Sequence, residues 1–228
     1  MIVMVLDTES NIKYLIRLSL ISMTLFLLYC TAISQTKIYG GVSVPFGGFS
    51  SEDSAAGGFA KTGFALGVEY NSKSFLGSEF GVSCLLGYYP INLPALTNNR
   101  LRPPRGSQVE SNAWLLIWPQ VSAGYQYSIS NSVSVFGKVS GGLLYGIYPE
   151  VTVIDAGVSR YTQNLSIKVA FGWGGGVGIV LNKKYSFEIR FLTSKPDYDL
   201  NTVGGSLLAT EQTTIDTKTL QIMFGYIF

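Results

Sequence analysis

The stretch that decides the fold is Leu165-Ser166-Ile167-Lys168-Val169-Ala170-Phe171-Gly172-Trp173-Gly174-Gly175-Gly176-Val177-Gly178-Ile179-Val180-Leu181. Leu165, Ile167, Val169, Phe171, Trp173, Val177, Ile179 and Leu181 share the odd positions with one glycine, Gly175. The even positions hold Ser166, Lys168, Ala170, Gly172, Gly174, Gly176, Gly178 and Val180. A period of two is the signature of an extended strand, whose successive side chains leave opposite faces. The glycine run is not a phosphate-cradling loop, because such a loop opens a helix and here an apolar strand continues through Ile179-Val180-Leu181. If the greasy face packed a core in water, the opposite face would have to be solvated and charged. It is mostly glycine, serine and alanine, so the greasy face is expected to look outward into lipid and the small face into a crowded interior.

The pattern recurs. Phe64, Leu66, Val68 and Tyr70 alternate with Gly63, Ala65, Gly67 and Glu69; Leu220, Ile222, Phe224, Tyr226 and Phe228 alternate with Gln221, Met223, Gly225 and Ile227. Segments at about 37–49, 61–71, 75–89, 113–127, 133–147, 165–181, 184–194 and 216–228 each reach the ~9–11 residues a tilted strand needs to cross hydrocarbon. The connections alternate: Asn71 to Ser74, Ser128 to Ser132 and Asn182-Lys183 are tight turns, whereas 50–60, 90–112, 148–164 and 195–215 are long. The expected fold is all-β, an eight-stranded antiparallel up-and-down transmembrane β-barrel. Its termini lie on the short-turn side, and the barrel domain spans residues 35–228.

Composition narrows the function. The chain has 228 residues, 13% of them charged, a formal net charge of +2 and no histidine. So small a charge excludes polyelectrolyte binding to nucleic acid as the default. Without an imidazole, Ser-His-Asp and Cys-His nucleophile systems and His-ligated metals are excluded, and no cofactor is expected. Lys13 and Arg17 precede an apolar run from Leu18 to Leu28, and Ala32-Ile33-Ser34 places small residues at the positions a signal peptidase reads, so residues 1–34 are expected to be a cleaved signal peptide. Cys84 is then the one cysteine left, on the face of Phe80, Val82 and Leu86.

The few charges fall on the inner register: Glu69, Glu79, Lys138, Lys168, Glu188 and Arg190, three acids and three bases. The interior of an eight-stranded barrel is just wide enough for side chains to fill it, so such a set is expected to interlock as a buried network that plugs the lumen. Glu69 and Glu79, on neighbouring strands, are the candidate pair for acid–base chemistry, set against the structural reading of balanced ions. Arg100, Arg102 and Arg105 around Pro103-Pro104 lie in the longest loop, where they could meet lipopolysaccharide phosphates or an extracellular partner, or simply be solvated. Tyr70, Tyr185 and Tyr226 at one end, and Phe46, Tyr88, Tyr145 and Tyr148 at the other, fit interfacial girdles.

These eight alternating strands, the leader, the unequal connections and the aromatic strand ending in Phe228 resemble the small outer-membrane β-barrels, the family of outer-membrane protein X and the transmembrane domain of outer-membrane protein A. The resemblance implies residence in the outer membrane with periplasmic termini and contact with its lipid and lipopolysaccharide. It also implies that Leu220, Ile222, Phe224, Tyr226 and Phe228 form the signal read by the barrel-assembly machinery. The expected role is non-enzymatic display of loops for surface contact, adhesion or envelope integrity, toward an extracellular partner the sequence does not identify. One alternative is a narrow conduit or pocket for small hydrophobic molecules at the outer mouth, using Trp114, Trp118 and Tyr89. Another is a lipid A-modifying barrel enzyme, whose catalytic histidine has no counterpart here.

Overall fold

The computed structural model of the protein describes residues 34–53, 57–73, 77–147, 149–155, 158–165, 168–204 and 207–228. At residues 73, 158–161, 164, 165, 168, 200–204 and 207–211 it describes the backbone alone. The expected leader lies outside the described residues except for Ser34, which opens the first strand. In chain order the strands are β1 (Ser34–Phe46), β2 (Gly63–Lys73), β3 (Ser78–Tyr89), β4 (Gln108–Ser111), β5 (Trp114–Ser128), β6 (Val133–Ile147) and β7 (Val151–Asp155). They continue with β8 (Val158–Leu165), β9 (Lys168–Leu181), β10 (Tyr185–Ser194), β11 (Asp197–Gly204), β12 (Leu207–Thr214) and β13 (Thr217–Ile227).

Eight of these close on themselves in the order β1-β13-β10-β9-β6-β5-β3-β2. Every neighbouring pair is antiparallel, and β1 seals the cylinder by pairing with β13 from Lys37↔Ile227 to Phe46↔Lys218 and with β2 from Ser34↔Ser72 to Ser43↔Gly63. The eight expected segments are the eight barrel strands, with ends shifted by a few residues. Closure removes the bare sheet edges that would be intolerable in lipid. Between β9 and β10, Asn182 (φ 51°) and Lys183 (φ 58°) are both left-handed, and the Lys184 N–H donates to the Leu181 carbonyl at 3.0 Å. That is the mirror-image turn whose twist matches the flanking strands.

The oily rows point out. Phe171 is 68% exposed, Trp173 58% and Phe224 59%, whereas the inward Glu188 and Arg190 are 1% and 2% exposed. This inversion of the water-soluble pattern is what alternation between glycine and large apolar residues dictates once lipid is the outer solvent. Aromatic rings cluster where a girdle is expected: Tyr185 packs edge-on to Tyr226 at 5.6 Å and Tyr226 to Phe228 at 4.9 Å at the short-turn end, and Phe64 stacks on Tyr88 at 5.2 Å near the other. Tyr148 lies outside the described residues.

The long connections are corrected. Three of the four segments expected as loops contain strands, and these form a second, five-stranded sheet in the order β12-β11-β8-β7-β4. Each of the five joins a barrel strand directly in sequence, and the barrel order β13-β10-β9-β6-β5 is the same order one level down. More than half of the wall therefore continues past the rim. The reason is backbone hydrogen bonding: neighbouring antiparallel strands leaving the membrane keep satisfying each other's N–H and C=O groups, whatever their side chains. The expected segment 165–181 is divided accordingly, Leu165 ending β8 and Lys168 opening β9. On the remaining side, β1 passes into a single 3-10 turn (Gly47–Phe49), and β3 leads to a short helix α1 (Leu93–Leu96) continued by a wider turn over Thr97–Leu101.

Candidate functional site

The interior is filled at two levels by different chemistry. Near the short-turn end, the inner rows of β1, β2, β6 and β10 bring together Lys37, Glu69, Lys138, Glu188 and Arg190. Lys37 Nζ lies 2.8 Å from Glu69 Oε2 and 3.2 Å from Glu188 Oε2; Lys138 Nζ lies 2.8 Å and 3.1 Å from the same two oxygens. Arg190 donates from Nε to Glu188 Oε1 at 2.8 Å and from Nη1 to the Tyr39 hydroxyl at 3.1 Å, while its guanidinium carbon sits 4.8 Å from the centroid of the Tyr39 ring. The Phe136 ring flanks both lysines, at 5.5 Å and 5.8 Å. Each carboxylate is shared by several cations, the arrangement that offsets desolvation of buried charge. Gly176 makes room: a Cβ there would stand 2.6 Å from Glu188 Oε1. Against the cluster, a cavity of about 30 Å³ is lined by Lys37, Glu69 and Lys138 on one side and by Gln35, Asn71, Glu79 and Gln126 on the other, space for a water or two.

The second level lies at the loop end and is apolar. Phe49, carried inward by the turn after β1, is fully buried with its ring 5.0 Å from Tyr89 and 5.2 Å from Trp114, both edge-on. Tyr198 of β11 also meets Trp114, edge-on at 5.6 Å, and Leu96, Leu144, Leu192 and Ile215 complete the plug. Gly47, at φ +62°, supplies the left-handed turn that sends Phe49 inward, and the Trp114 indole N–H donates to the Gly58 carbonyl at 2.8 Å, tying the first loop to the barrel. Between the levels, the Tyr89 hydroxyl reaches across to Ser43 Oγ at 2.7 Å.

The expected network is thus present with altered membership. Glu69, Lys138, Glu188 and Arg190 belong to it. Lys37, missed in the sequence reading, belongs too; its signal was the outward alternation of Ile38, Val42, Val44 and Phe46, which puts Lys37 on the inner row. Lys168 does not belong. Its backbone pairs with Gly146 and that of Lys138 with Gly176, so eight residues, about 26 Å of strand, separate their levels; the Lys168 side chain is outside those described. Glu79 is half-buried and lines the cavity, its register partner on β2 being Lys73 while that of Glu69 on β3 is Ser83. The offset of four residues, about 13 Å along the strands, sets apart the backbones of the two glutamates that adjacency suggests as an acid–base pair, while both side chains line the same small cavity. Trp114, Trp118 and Tyr89 are at most 2% exposed, the place of a ligand beside Tyr89 and Trp114 being taken by Phe49.

Arg102 and Arg105 are exposed and Arg100 is half-buried. Their loop is folded, with the Arg102 N–H donating to the Thr97 carbonyl at 2.8 Å and the Asn99 side-chain amide to the Glu52 carbonyl at 3.1 Å. Leu220, Ile222, Phe224, Tyr226 and Phe228 form an exposed outer row. Cys84 is half-buried with a free thiol.

No curated protein sequence matches the chain. Among solved structures it is similar to Neisserial surface protein A (10% identity over 85% of this chain and 95% of that one, TM-score 0.43). It is also similar to a major outer membrane protein from Thermus thermophilus (12%, 86% and 99%, TM-score 0.48) and to Outer Membrane Protein W from E. coli (16%, 86% and 98%, TM-score 0.42). The family described as outer membrane protein beta-barrel domain matches residues 19–228. With an oily exterior, a closed eight-stranded wall and that match over most of its length, the chain belongs to the outer membrane protein beta-barrel domain family and is a protein of the outer membrane.

Proposed function

We propose that the protein is a non-enzymatic wall element that displays its long-loop end outside the cell, for surface contact, adhesion or envelope integrity, with both termini in the periplasm. One observation carries this reading. The lumen is filled twice over by the chain's own side chains, while five consecutive strands extend beyond the rim as an ordered sheet. A barrel built for passage would keep its axis open; this one closes the axis and builds outward. Short periplasmic turns and long external loops are the rule for such barrels, which supports the orientation. On the same end, Arg100, Arg102 and Arg105 are suited to lipopolysaccharide phosphates, since guanidinium–phosphate pairs are charge-assisted and often bidentate. The outer row from Leu220 to Phe228 serves in this reading as the assembly signal. A conduit for small hydrophobic molecules would need Phe49 to leave the aromatic mouth and the ionic cluster to open as well.

The test is labelling of intact cells with a membrane-impermeant maleimide in a Cys84→Ser background. Arg105→Cys is expected to label and Lys183→Cys to stay protected until the membrane is broken; the reverse pattern overturns the orientation. Steady open levels from purified protein in planar bilayers would overturn the closed lumen, and release of fatty acid from lipopolysaccharide would overturn the non-enzymatic reading.

A further inference from the structure

The outer row of the barrel holds glycine at Gly40, Gly137, Gly141 and Gly175. Neighbouring side chains cover two of these: Leu66 Cδ1 lies 3.3 Å from where a Cβ would stand at Gly40, and the Phe171 ring 3.3 Å from one at Gly141. The other two are bare. A Cβ at Gly137 would meet only Val177 Cγ1, at 3.9 Å, and one at Gly175 only the Lys138 carbonyl oxygen, at 3.3 Å. Gly137 pairs with Val177 and Gly175 with Val139, so the two are diagonal neighbours on β6 and β9. They floor an open depression of about 570 Å³ in the lipid-facing wall, edged by Tyr125, Val139, Val177, Ile189 and Phe191. Below it are the turns that join β5 to β6 and β9 to β10. They abut, the Asn182 N–H donating to the Ser132 carbonyl at 2.7 Å. Lys183 and Lys184 are exposed there beside Ser130, Asn131 and Ser132, and no acidic residue lies between Ser128 and Val133 or between Leu181 and Ser186. Six residues of β9 separate Gly175 from Leu181, about 20 Å of strand. At a tilt near 45° that is about 14 Å of depth, close to the ~15 Å half-thickness of a bilayer's hydrocarbon core.

We propose that this face is a docking site for one anionic phospholipid, its phosphate held by Lys183 and Lys184 and one acyl chain seated in the depression over Gly137 and Gly175. Charge selects the headgroup: two lysines at the membrane surface, with no carboxylate beside them in either turn, attract an anionic lipid over a zwitterionic one. Shape selects the chain. On the rest of the wall an acyl chain rests on the tips of large side chains, whereas here it sinks between Val139, Val177 and Phe191 and is touched from below as well. Dispersion attraction grows with the number of atoms in contact, so the seated chain is held more tightly than its neighbours. The depth fits the same lipid, since a chain that starts at the turns and ends near the middle of the bilayer covers both glycines. A second copy fits less well. A two-fold contact sets the same patch against itself, and two facing depressions leave both floors uncovered.

Trp173 is exposed on the same outer row, two residues from Gly175, and reports which lipid lies there. Full-length protein is placed in nanodiscs of phosphatidylcholine mixed with phosphatidylglycerol brominated in mid-chain or, separately, with phosphatidylcholine brominated at the same carbons. Bromine quenches Trp173, and Trp173→Phe supplies the background of Trp114 and Trp118 inside the lumen. Phosphatidylglycerol is expected to reach half-maximal quenching at about one-fifth or less of the mole fraction that phosphatidylcholine needs, the factor contributed by one lysine near a headgroup. Lys183→Gln with Lys184→Gln should bring the two lipids together. So should Gly137→Leu with Gly175→Leu, because a headgroup held without a seated chain no longer fixes bromine beside Trp173; the ratio of the two lipids cancels any shielding by the new leucines. Equal quenching by both lipids in the unaltered protein overturns the proposal, as does a preference that survives either pair of substitutions. Each variant is required to keep the heat-dependent gel shift of a folded barrel, and should the leucine pair fail to fold, Gly137→Val is read in the same way. That the lipid belongs to the periplasmic leaflet rests on the orientation proposed above. Cell labelling with the reverse pattern would sink the display function and the choice of leaflet, while the nanodisc ratio would still decide the site.

Discussion

The two closures of the lumen solve one problem with opposite materials. Toward the short turns, Lys37, Glu69, Lys138, Glu188 and Arg190 close it with charge carried on inward rows of the wall. Toward the loops, Phe49, Leu96 and Ile215 close it with apolar groups brought in from connections, set against Trp114 and Tyr89 of the wall. The difference teaches where each kind of plug can be built. In mid-wall, side chains from facing strands are near enough to interlock, and burying ions there demands several fixed partners at once. At the rim the chain is free to fold back, and dispersion with area burial suffices.

The comparison breaks most visibly at Glu188. Glu188→Gln leaves three cations around one carboxylate, and the loss expected for breaking a buried pair is about 3–5 kcal/mol. Urea unfolding in micelles reads it; a change near zero would mean that the cluster is hydrated and weakly coupled. Arg190→Met added to Glu188→Gln should recover part of the loss, because it removes one of the charges left unbalanced.

Phe49→Ala comes next, at about 3 kcal/mol, the lower end for a buried Phe because a rim loop relaxes more easily than a wall. Its sharper readout is conductance. If the closures are independent, Phe49→Ala alone stays silent in planar bilayers, and opening appears only when Glu69→Ala and Lys138→Ala are added. Conductance from Phe49→Ala alone would show that the ionic level does not seal.

The two levels were unequally legible in the sequence, for the same physical reason. Period-two alternation is compulsory where lipid lies on one side, so Phe171, Trp173 and Val177 announced their strand and Glu69, Lys138, Glu188 and Arg190 their inward direction. Lys37 was readable by the same rule once Ile38 and Val42 are set outward. Above the rim the rule lapses. Val151, Thr152 and Val153 alternate for only a few residues, and nothing in Asp197 to Gly204 requires a strand beyond the pairing its neighbours offer, so these stretches read as loops in the sequence. The pattern of the strand groups Lys168 with the network because alternation specifies the face of a residue but not the height at which it crosses the lumen; register specifies the height. Phe49 was invisible, since its burial follows from a left-handed Gly47 and a turn whose direction no periodicity records.

The smallest expected effects test the inner–outer contrast itself, in two glycines on neighbouring strands. At Gly176 a Cβ would stand 2.6 Å from Glu188 Oε1, a buried carboxylate oxygen held at 2.8 Å by Arg190, so the intruding methyl has to displace an ion pair and not merely a flexible tip. Gly176→Ala should cost about 1–3 kcal/mol, the usual range for overpacking. At Gly137, on the outer row, a Cβ would meet Val177 Cγ1 at 3.9 Å and nothing nearer, an ordinary contact on a face that already suits apolar groups. Gly137→Ala should fall within about 0.5 kcal/mol of zero, as substitutions away from such features do, with a slight gain from the reduced freedom of the unfolded chain. Equal costs at the two sites would mean that the wall does not distinguish its faces. A larger cost at Gly137 would reverse the assignment of inside and outside from which both closures are derived.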